Sequence, residues 1–259
     1  MAEKIHQRVE YKIYILGCVL CLFLLNPALA ENLEIEASGY LEWNQEIKSY
    51  IAKGDAIAVQ GQRIIKADKI IAFYGSEENR DIIRIEATGS VEFKDNSSFG
   101  YSDKLNYEMS TRAVTLTGNK NYFESEMFVT KSSNQIKFDE IEGTLLLKED
   151  AFVSISEGSK IEAQLLEIEL ADGGDVSIIE AEGNVKLTEG AGRIAYSNAA
   201  FYKAESGEMT LSESVVIIDG NNQLKGDKAI INMNSGYSKI LTENRNKRVT
   251  GKLFLGTSN

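Results

Sequence analysis

Beyond its first thirty residues the chain has no cysteine, no histidine and no proline; Cys18, Cys21, His6 and Pro27 are the only ones it contains. Without thiols, residues 31–259 can form no disulfide, so stability in an oxidising compartment must come from a packed core. Without thiolate or imidazole, Cys-His and Ser-His-Asp catalysis are excluded, as are metal sites built on soft or imidazole ligands. Positive charge is also short. The 28 basic residues face 39 acidic ones, a net charge of −11, which becomes −12 once the first thirty residues are set aside. Phosphate backbones are held by basic stripes, and none is present, so no nucleic acid partner is expected. Missing proline has a further effect, because it is the commonest device that blocks an exposed strand edge.

The first thirty residues read as an export signal. Lys4, Arg8 and Lys12 make a basic lead, Ile13 to Leu25 is almost wholly apolar, and Pro27 precedes Ala28-Leu29-Ala30, an A-x-A cleavage site. The apolar run of 13 residues falls short of the ~20 that span a bilayer. Cleavage therefore places the mature start at Glu31; the alternative is a retained anchor. Cys18 after Ile15-Leu16-Gly17 resembles a lipid attachment site only weakly, since too much apolar sequence follows it.

From Glu31 onward the pattern has a period of two. Ile35, Ala37, Gly39, Leu41 and Trp43 alternate with polar residues, and the same word returns at Ile85 to Phe93 and at Ile179 to Leu187, as I-E-A-x-G-x-(Val/Leu)-x-(large apolar). A degenerate copy fits Ile141 to Leu147. A second word, small-Asp-Lys-apolar, recurs at Ala67-Asp68-Lys69-Ile70, Ser102-Asp103-Lys104-Leu105 and Gly226-Asp227-Lys228-Ala229. It describes a repeated bend before a strand. Gly54, Gly118, Gly158 and Gly220 add further bends. Each unit is too small to bury its own apolar face, so stacking must supply the core. Ile161 to Leu170 also suits a helical period, but its place after a glycine bend favours strand. No linker divides the chain: residues 31–241 read as one all-β domain, with 242–259 as an edge strand and tail, while 119–140 fits the words poorly.

The opening Ile35-Glu-Ala-Ser-Gly-Tyr-Leu-Glu-Trp43, Tyr50 to Val59, Ile65 to Tyr74 and Gly226 to Gly236 follow the word order of the OstA-like family, which this chain resembles over residues 33 to about 240. The family comprises proteins of lipopolysaccharide transport. The resemblance implies a partly open twisted β-jellyroll built from stacked short antiparallel strands, residence in the periplasm, and carriage of lipopolysaccharide from inner to outer membrane. It implies inner-membrane and outer-membrane transport proteins sharing the fold as partners. The periplasmic branch suits the extent of the tandem words better than the inner-membrane-tethered one. A passive extracytoplasmic repeat scaffold is the alternative outside transport.

Ten apolar positions within the strands are the candidate lipid-binding residues: Ile57, Val59, Val91, Phe93, Leu116, Leu145, Leu147, Val185, Leu187 and Leu211. Each buried methylene of an alkyl chain contributes ~0.8 kcal/mol, so such a groove needs no catalytic group. Periodicity does not separate a groove from a filled interior. Glu36, Glu42, Glu86, Glu92, Glu180 and Glu182 fall on the opposite, solvated face, and Asp68, Asp103 and Asp227 read as turn residues that accept backbone hydrogen bonds. Paired carboxylates on a β-helix could cleave polysaccharide, but the regular coil of about 20 residues this needs is absent. No catalytic residue, metal or cofactor is therefore expected, and the protein reads as a non-enzyme. Ile35 to Trp43 and the segment near Ile230 to Met233 are the expected terminal strands, whose free edges invite head-to-tail homo-oligomers.

The exported protein is expected to begin at Glu31, as read by N-terminal sequencing. Recovery of a form that keeps residues 1–30 identifies a membrane anchor instead.

Overall fold

Strict alternation of apolar and polar residues gives strands with one buried face, and the whole described chain is built that way. The computed structural model describes residues 32–255, apart from 77, 79, 97, 156, 157, 191, 244 and 245; the leader lies outside the described residues. Eighteen strands, all paired antiparallel, make one continuous sheet with no α-helix among the described residues. At one end β1 (Leu33–Glu36) and β2 (Tyr40–Asn44) each pair with one half of β3 (Ser49–Gln60). The sheet then runs through β4 (Arg63–Tyr74), β5 (Ile82–Asp95) and β6 (Ser98–Glu108). Next come β7 (Ala113–Thr117), β8 (Asn121–Glu124), β9 (Phe128–Ser132) and β10 (Gln135–Asp139). The second half is β11 (Thr144–Ile155), β12 (Lys160–Leu170), β13 (Val176–Thr188), β14 (Ile194–Lys203), β15 (Glu208–Asp219) and β16 (Asn222–Asn232). At the far end β17 (Ser238–Leu241) and β18 (Thr250–Lys252) each cover part of β16. The ambiguous window from Ile161 to Leu170 is therefore strand.

Each long strand bends at its middle, and the bends align. In β3 the pairing with β4 shifts between Lys53 and Ala56, and equivalent shifts interrupt every long pair as far as β15 with β16. On alternate strands the bend consists of two successive residues of positive φ: Gly54-Asp55 (91° and 42°), Gly89-Ser90 (83° and 46°), Glu149-Asp150 (62° and 44°), Gly183-Asn184 (77° and 52°) and Glu213-Ser214 (65° and 63°). Two left-handed residues turn the strand sharply and keep the two halves twisted in the right sense. Every strand half on one side of the bends belongs to a front sheet, every half on the other to a back sheet. The result is a V in cross-section, closed along the bends and ending at two facing lips.

Intervening strands fill the bend with the small-polar word. A Cβ on Gly89 would overlap the carboxyl of Asp68, one on Gly118 that of Asp103, and one on Gly183 the amide of Gln164. Asp103 accepts from the Asn119 amide (3.1 Å), Ser133 donates to Asp150 (2.8 Å) and Asn198 to Glu213 (2.8 Å). Asp227 accepts from the Thr242 hydroxyl (2.8 Å), from Lys247 (3.1 Å) and from the Glu243 amide (3.2 Å), which hold its carboxyl below the usual range.

These bends explain why residues 119–140 match the words poorly. β7 and β8 together are one strand, with β7 in the front sheet and β8 in the back; β9 and β10 are its return. The rung is regular in pairing but its bends use other chemistry. Asn121 donates to the carbonyls of Gly118 (2.8 Å) and Ser132 (3.3 Å), and Ser132 donates to Lys148 O. The degenerate copy at Ile141 to Leu147 is out of register: Gly143 lies in the β10–β11 turn, and the bend of β11 is Glu149-Asp150. The expected last strand near Ile230 to Met233 lies one strand inside the edge, with Ile231 fully buried under β17.

Gly89→Ala must place a side chain where φ is +83° and where Asp68 already sits, and is expected to destabilise by roughly 2 kcal/mol or more. Gly75→Ala, with no positive φ and only an ordinary 3.4 Å approach to Ile83, is expected to shift the urea midpoint little. Equal midpoints for the two variants would contradict this account of the bends.

Candidate functional site

The inner faces of the two sheets meet in one continuous apolar cluster running from β3 to β16. Val91, Phe93, Leu116, Leu145, Leu147, Val185, Leu187 and Leu211 all lie in it, each at most 3% exposed. Ile57 and Val59 do not. They stand on the outer face of the back sheet, half-buried, with Glu36 and Lys66 paired beside Ile57. The inner positions of that half-strand are Ala56 and Ala58. The physical reason is the two-residue bend: after Gly54-Asp55 the first inward side chain is Ala56, as Val91 is after Gly89-Ser90. Aligning those two glycines is the sequence signal that identifies the right pair.

The V is open at the β1–β2 end. Leu33 and Ile35 of the back sheet, and Leu41, Trp43 and Tyr50 of the front sheet, line an apolar pocket of about 470 Å³ with Ile82 at its rim. Leu41 and Trp43 face inward, paired opposite Ala52 and Tyr50, yet are 62% and 45% exposed. Large apolar side chains left this exposed on an inner face mark the end of a groove. The indole Nε1 donates to the Tyr74 hydroxyl (3.2 Å), and the Arg80 guanidinium lies 4.5 Å from the Trp43 ring centre.

At two places on the back lip the last inward-facing positions are charged. Arg63 and Asp95 end the back-sheet strands β4 and β5, and the Arg63 Nε donates to Asp95 at 2.9 Å. Across the mouth, Arg63 Nη1 donates to the Tyr107 hydroxyl and Nη2 reaches Glu140 at 3.4 Å, while Arg112 reaches Glu140 at 3.3 Å. The Arg63 guanidinium lies 4.6 Å from the centre of the Tyr107 ring. Burial pushes the Tyr107 phenol above its ordinary pKa, against the opposing pull of Arg63. A second such pair, Glu189 and Arg193, lies further along the back lip, with Arg193 Nη1 donating to Gly236 O of the front lip at 2.9 Å. Between the two, Met127, Ile155 and Ser159 of the back sheet face Asp175, Val176, Tyr202, Met233 and Asn234 of the front sheet around an opening of about 220 Å³ with a mixed polar and apolar lining.

Among the described residues no group of three His, Cys, Asp or Glu is placed to hold a metal. What the geometry offers is apolar surface between two sheets, reachable from one end and from the side.

A bent double sheet with an apolar interior and open margins defines a class of protein that offers sheltered apolar surface. Residues 34–146 and 132–237 match the family described as LptA/(LptD N-terminal domain) LPS transport protein. With most of its length matched, the chain belongs to that family. No curated protein matches it. Among solved structures it is similar to LptH, the LptA homologous periplasmic component of the conserved lipopolysaccharide transport device from Pseudomonas aeruginosa, at 11% identity and a TM-score of 0.41, covering 46% of this chain and 83% of that one.

Proposed function

We propose that this protein is a periplasmic, lipid-binding bridge that carries lipopolysaccharide from the inner to the outer membrane. The observation that supports it best is the continuous apolar cluster of the inner face from β3 to β16, open at the β1–β2 end, in a chain whose family is one of lipopolysaccharide transport. Burying each methylene of an acyl chain there contributes ~0.8 kcal/mol, and release at the far membrane needs only a partner that offers an equivalent surface. Val91, Phe93, Leu116, Leu145, Leu147, Val185, Leu187 and Leu211 are the residues of this chain proposed to meet acyl chains, with Ala56 and Ala58 in place of Ile57 and Val59. The two domain limits at residues 31 and 241 belong to the same reading, as does the leader.

A bridge needs continuity between molecules. The β1–β2 edge exposes backbone groups and the apolar pocket together, and the β17–β18 edge is short and free of proline. Edge pairing of one copy's β1–β2 with the next copy's C-terminal strands would join the grooves end to end. Membrane partners sharing the fold would cap the row. The charge of −12 on residues 31–259 opposes such contact, and salt relieves it.

A photocrosslinking residue at Val91 or Leu187 is expected to capture lipopolysaccharide in cells, and the same residue at Glu92 or Lys186 is not. Neighbouring positions point to opposite sheet faces, so equal capture at all four would remove the groove. In sedimentation velocity the weight-average mass is expected to rise with protein concentration and to rise further in salt. A strictly monomeric boundary at high salt and high concentration would leave a single-copy bridge.

A further inference from the structure

The bends close one margin of the V through the backbone, so the opposite margin is the only side from which the inner face can be reached along its length. Alternation would place apolar residues there too. Instead, the inward position beyond Ile65 is Arg63 and the one beyond Phe93 is Asp95. These are costly places for charge, since the Arg63 and Asp95 side chains are only 18% and 23% exposed. Buried charge persists when it is paired and hydrogen-bonded, and Arg63 has that: two donors on Asp95 within its own sheet, one on Tyr107 and one on Glu140 in the other. The glutamate is held in turn by Arg112. Tyr107 is a core residue, 2% exposed, so its hydroxyl is fixed by packing and gives the guanidinium a rigid anchor on the front lip.

The same device is repeated. Glu189 follows Leu187, and Arg193 precedes Ala195, again at inward parity on the back lip; their side chains are 12% and 15% exposed, and Arg193 crosses to Gly236 O. Between the two crossings the mouth has an opening where Met127, Ile155, Val176, Tyr202 and Met233 stand beside Ser159, Asp175 and Asn234. A mouth tied by directional polar contacts at two points is suited to opening and reclosing, because the ties exchange for water at modest net cost while the bends act as hinge.

We propose that Arg63 is a clasp that closes the lateral mouth of the groove, and that acyl chains board sideways, between the Arg63 and Arg193 crossings, when the clasp releases. This rests on the lipid-carrier reading and adds to it a route of entry and the residue that controls it. Arg63 is thus a positioning residue for the two lips, with no required contact to lipid.

The test separates the clasp from the carrier reading. In the full chain with Cys18→Ser and Cys21→Ser, spin labels at Gln62→Cys and Glu142→Cys, exposed residues on opposite lips, report the width of the mouth by double electron–electron resonance. Uptake of a fluorescent long-chain fatty acid, on the same background without the labels, reports loading. Arg63→Gln is expected to add a longer inter-lip distance and to speed uptake roughly tenfold, equivalent to ~1.4 kcal/mol, relative to the same protein with Arg63 intact. Tyr107→Phe keeps the core ring, removes the anchoring hydroxyl, and is expected to move both readouts the same way by less. An unchanged distance distribution in Arg63→Gln and Tyr107→Phe overturns the clasp. Wider lips with faster uptake establish the clasp, and wider lips with no fatty-acid uptake in any variant establish it while counting against the carrier reading.

Discussion

Everything in this structure depends on how a long strand turns from one sheet into the other without leaving backbone groups unpaired. Two consecutive left-handed residues accomplish it on alternate strands, and a small residue followed by Asp, Gln or Asn accompanies them on the strands between. Left-handed conformation costs an L-residue ~1–2 kcal/mol, less for Asn and Asp, yet Glu149, Glu213 and Ser214 adopt it. Neighbouring rungs over-determine the geometry: each bend is gripped by side chains from the strands on either side, as Asp150 by Ser133 and Glu213 by Asn198. One aligned column of bends therefore fixes the register of all the long strands at once, since any slip would move a residue with a Cβ under an Asp or Gln side chain that now covers a glycine.

That column also makes the cross-section asymmetric. On the bend side the sheets are joined by continuous backbone; on the lip side they are joined by side chains only. The closed margin gives the interior its permanence, and the lips give it access. Separating packed apolar surface is unfavourable in water, but an acyl chain that enters as the sheets part replaces the lost contacts, so the net cost falls on the polar ties at Arg63 and Arg193. The arrangement places the adjustable contacts where the ligand would pass and the rigid ones where it would not.

Much of this was legible in the sequence because the bends and the alternation are local. Period two in Ile85 to Phe93 and Ile179 to Leu187 identified inward residues correctly, and the words around Asp68, Asp103 and Asp227 marked bends. Ile57 and Val59 were misplaced by one residue because the chain from Ala56 to Val59 is apolar at every position and alternation is silent there; only the bend at Gly54-Asp55 sets its parity. Residues 119–140 were illegible for a different reason. Their bends rely on Asn121 and Ser132 bonding to distant carbonyls, which leaves no repeated word. Arg63 gave no signal at all, since its partners Tyr107 and Glu140 are 44 and 77 residues away and the contact exists only once the sheets face each other.

Side-chain size along the inner face has its own order. At the β1–β2 end, β3 contributes only Ala52, Ala56 and Ala58 beyond Tyr50, and the open pocket is found there. In the middle of the sheet the rings of Phe123, Phe128 and Phe138 meet at a tilt across β8, β9 and β10, with Phe123 6.2 Å from Phe128 and 5.2 Å from Phe138 between centroids, in one cluster with Leu116, Ile136 and Leu147. Toward the far end β14 again presents small residues, Ala195, Ser197 and Ala200. Interiors are packed to near-crystalline density, so small side chains on one strand are tolerated only where facing side chains reach across or where another molecule fills the gap. The aromatic block is the place where a lipid sliding lengthwise meets most resistance. Phe128 of this block lies next to Met127, which lines the opening of the mouth, so the point of greatest internal obstruction adjoins the proposed point of lateral access.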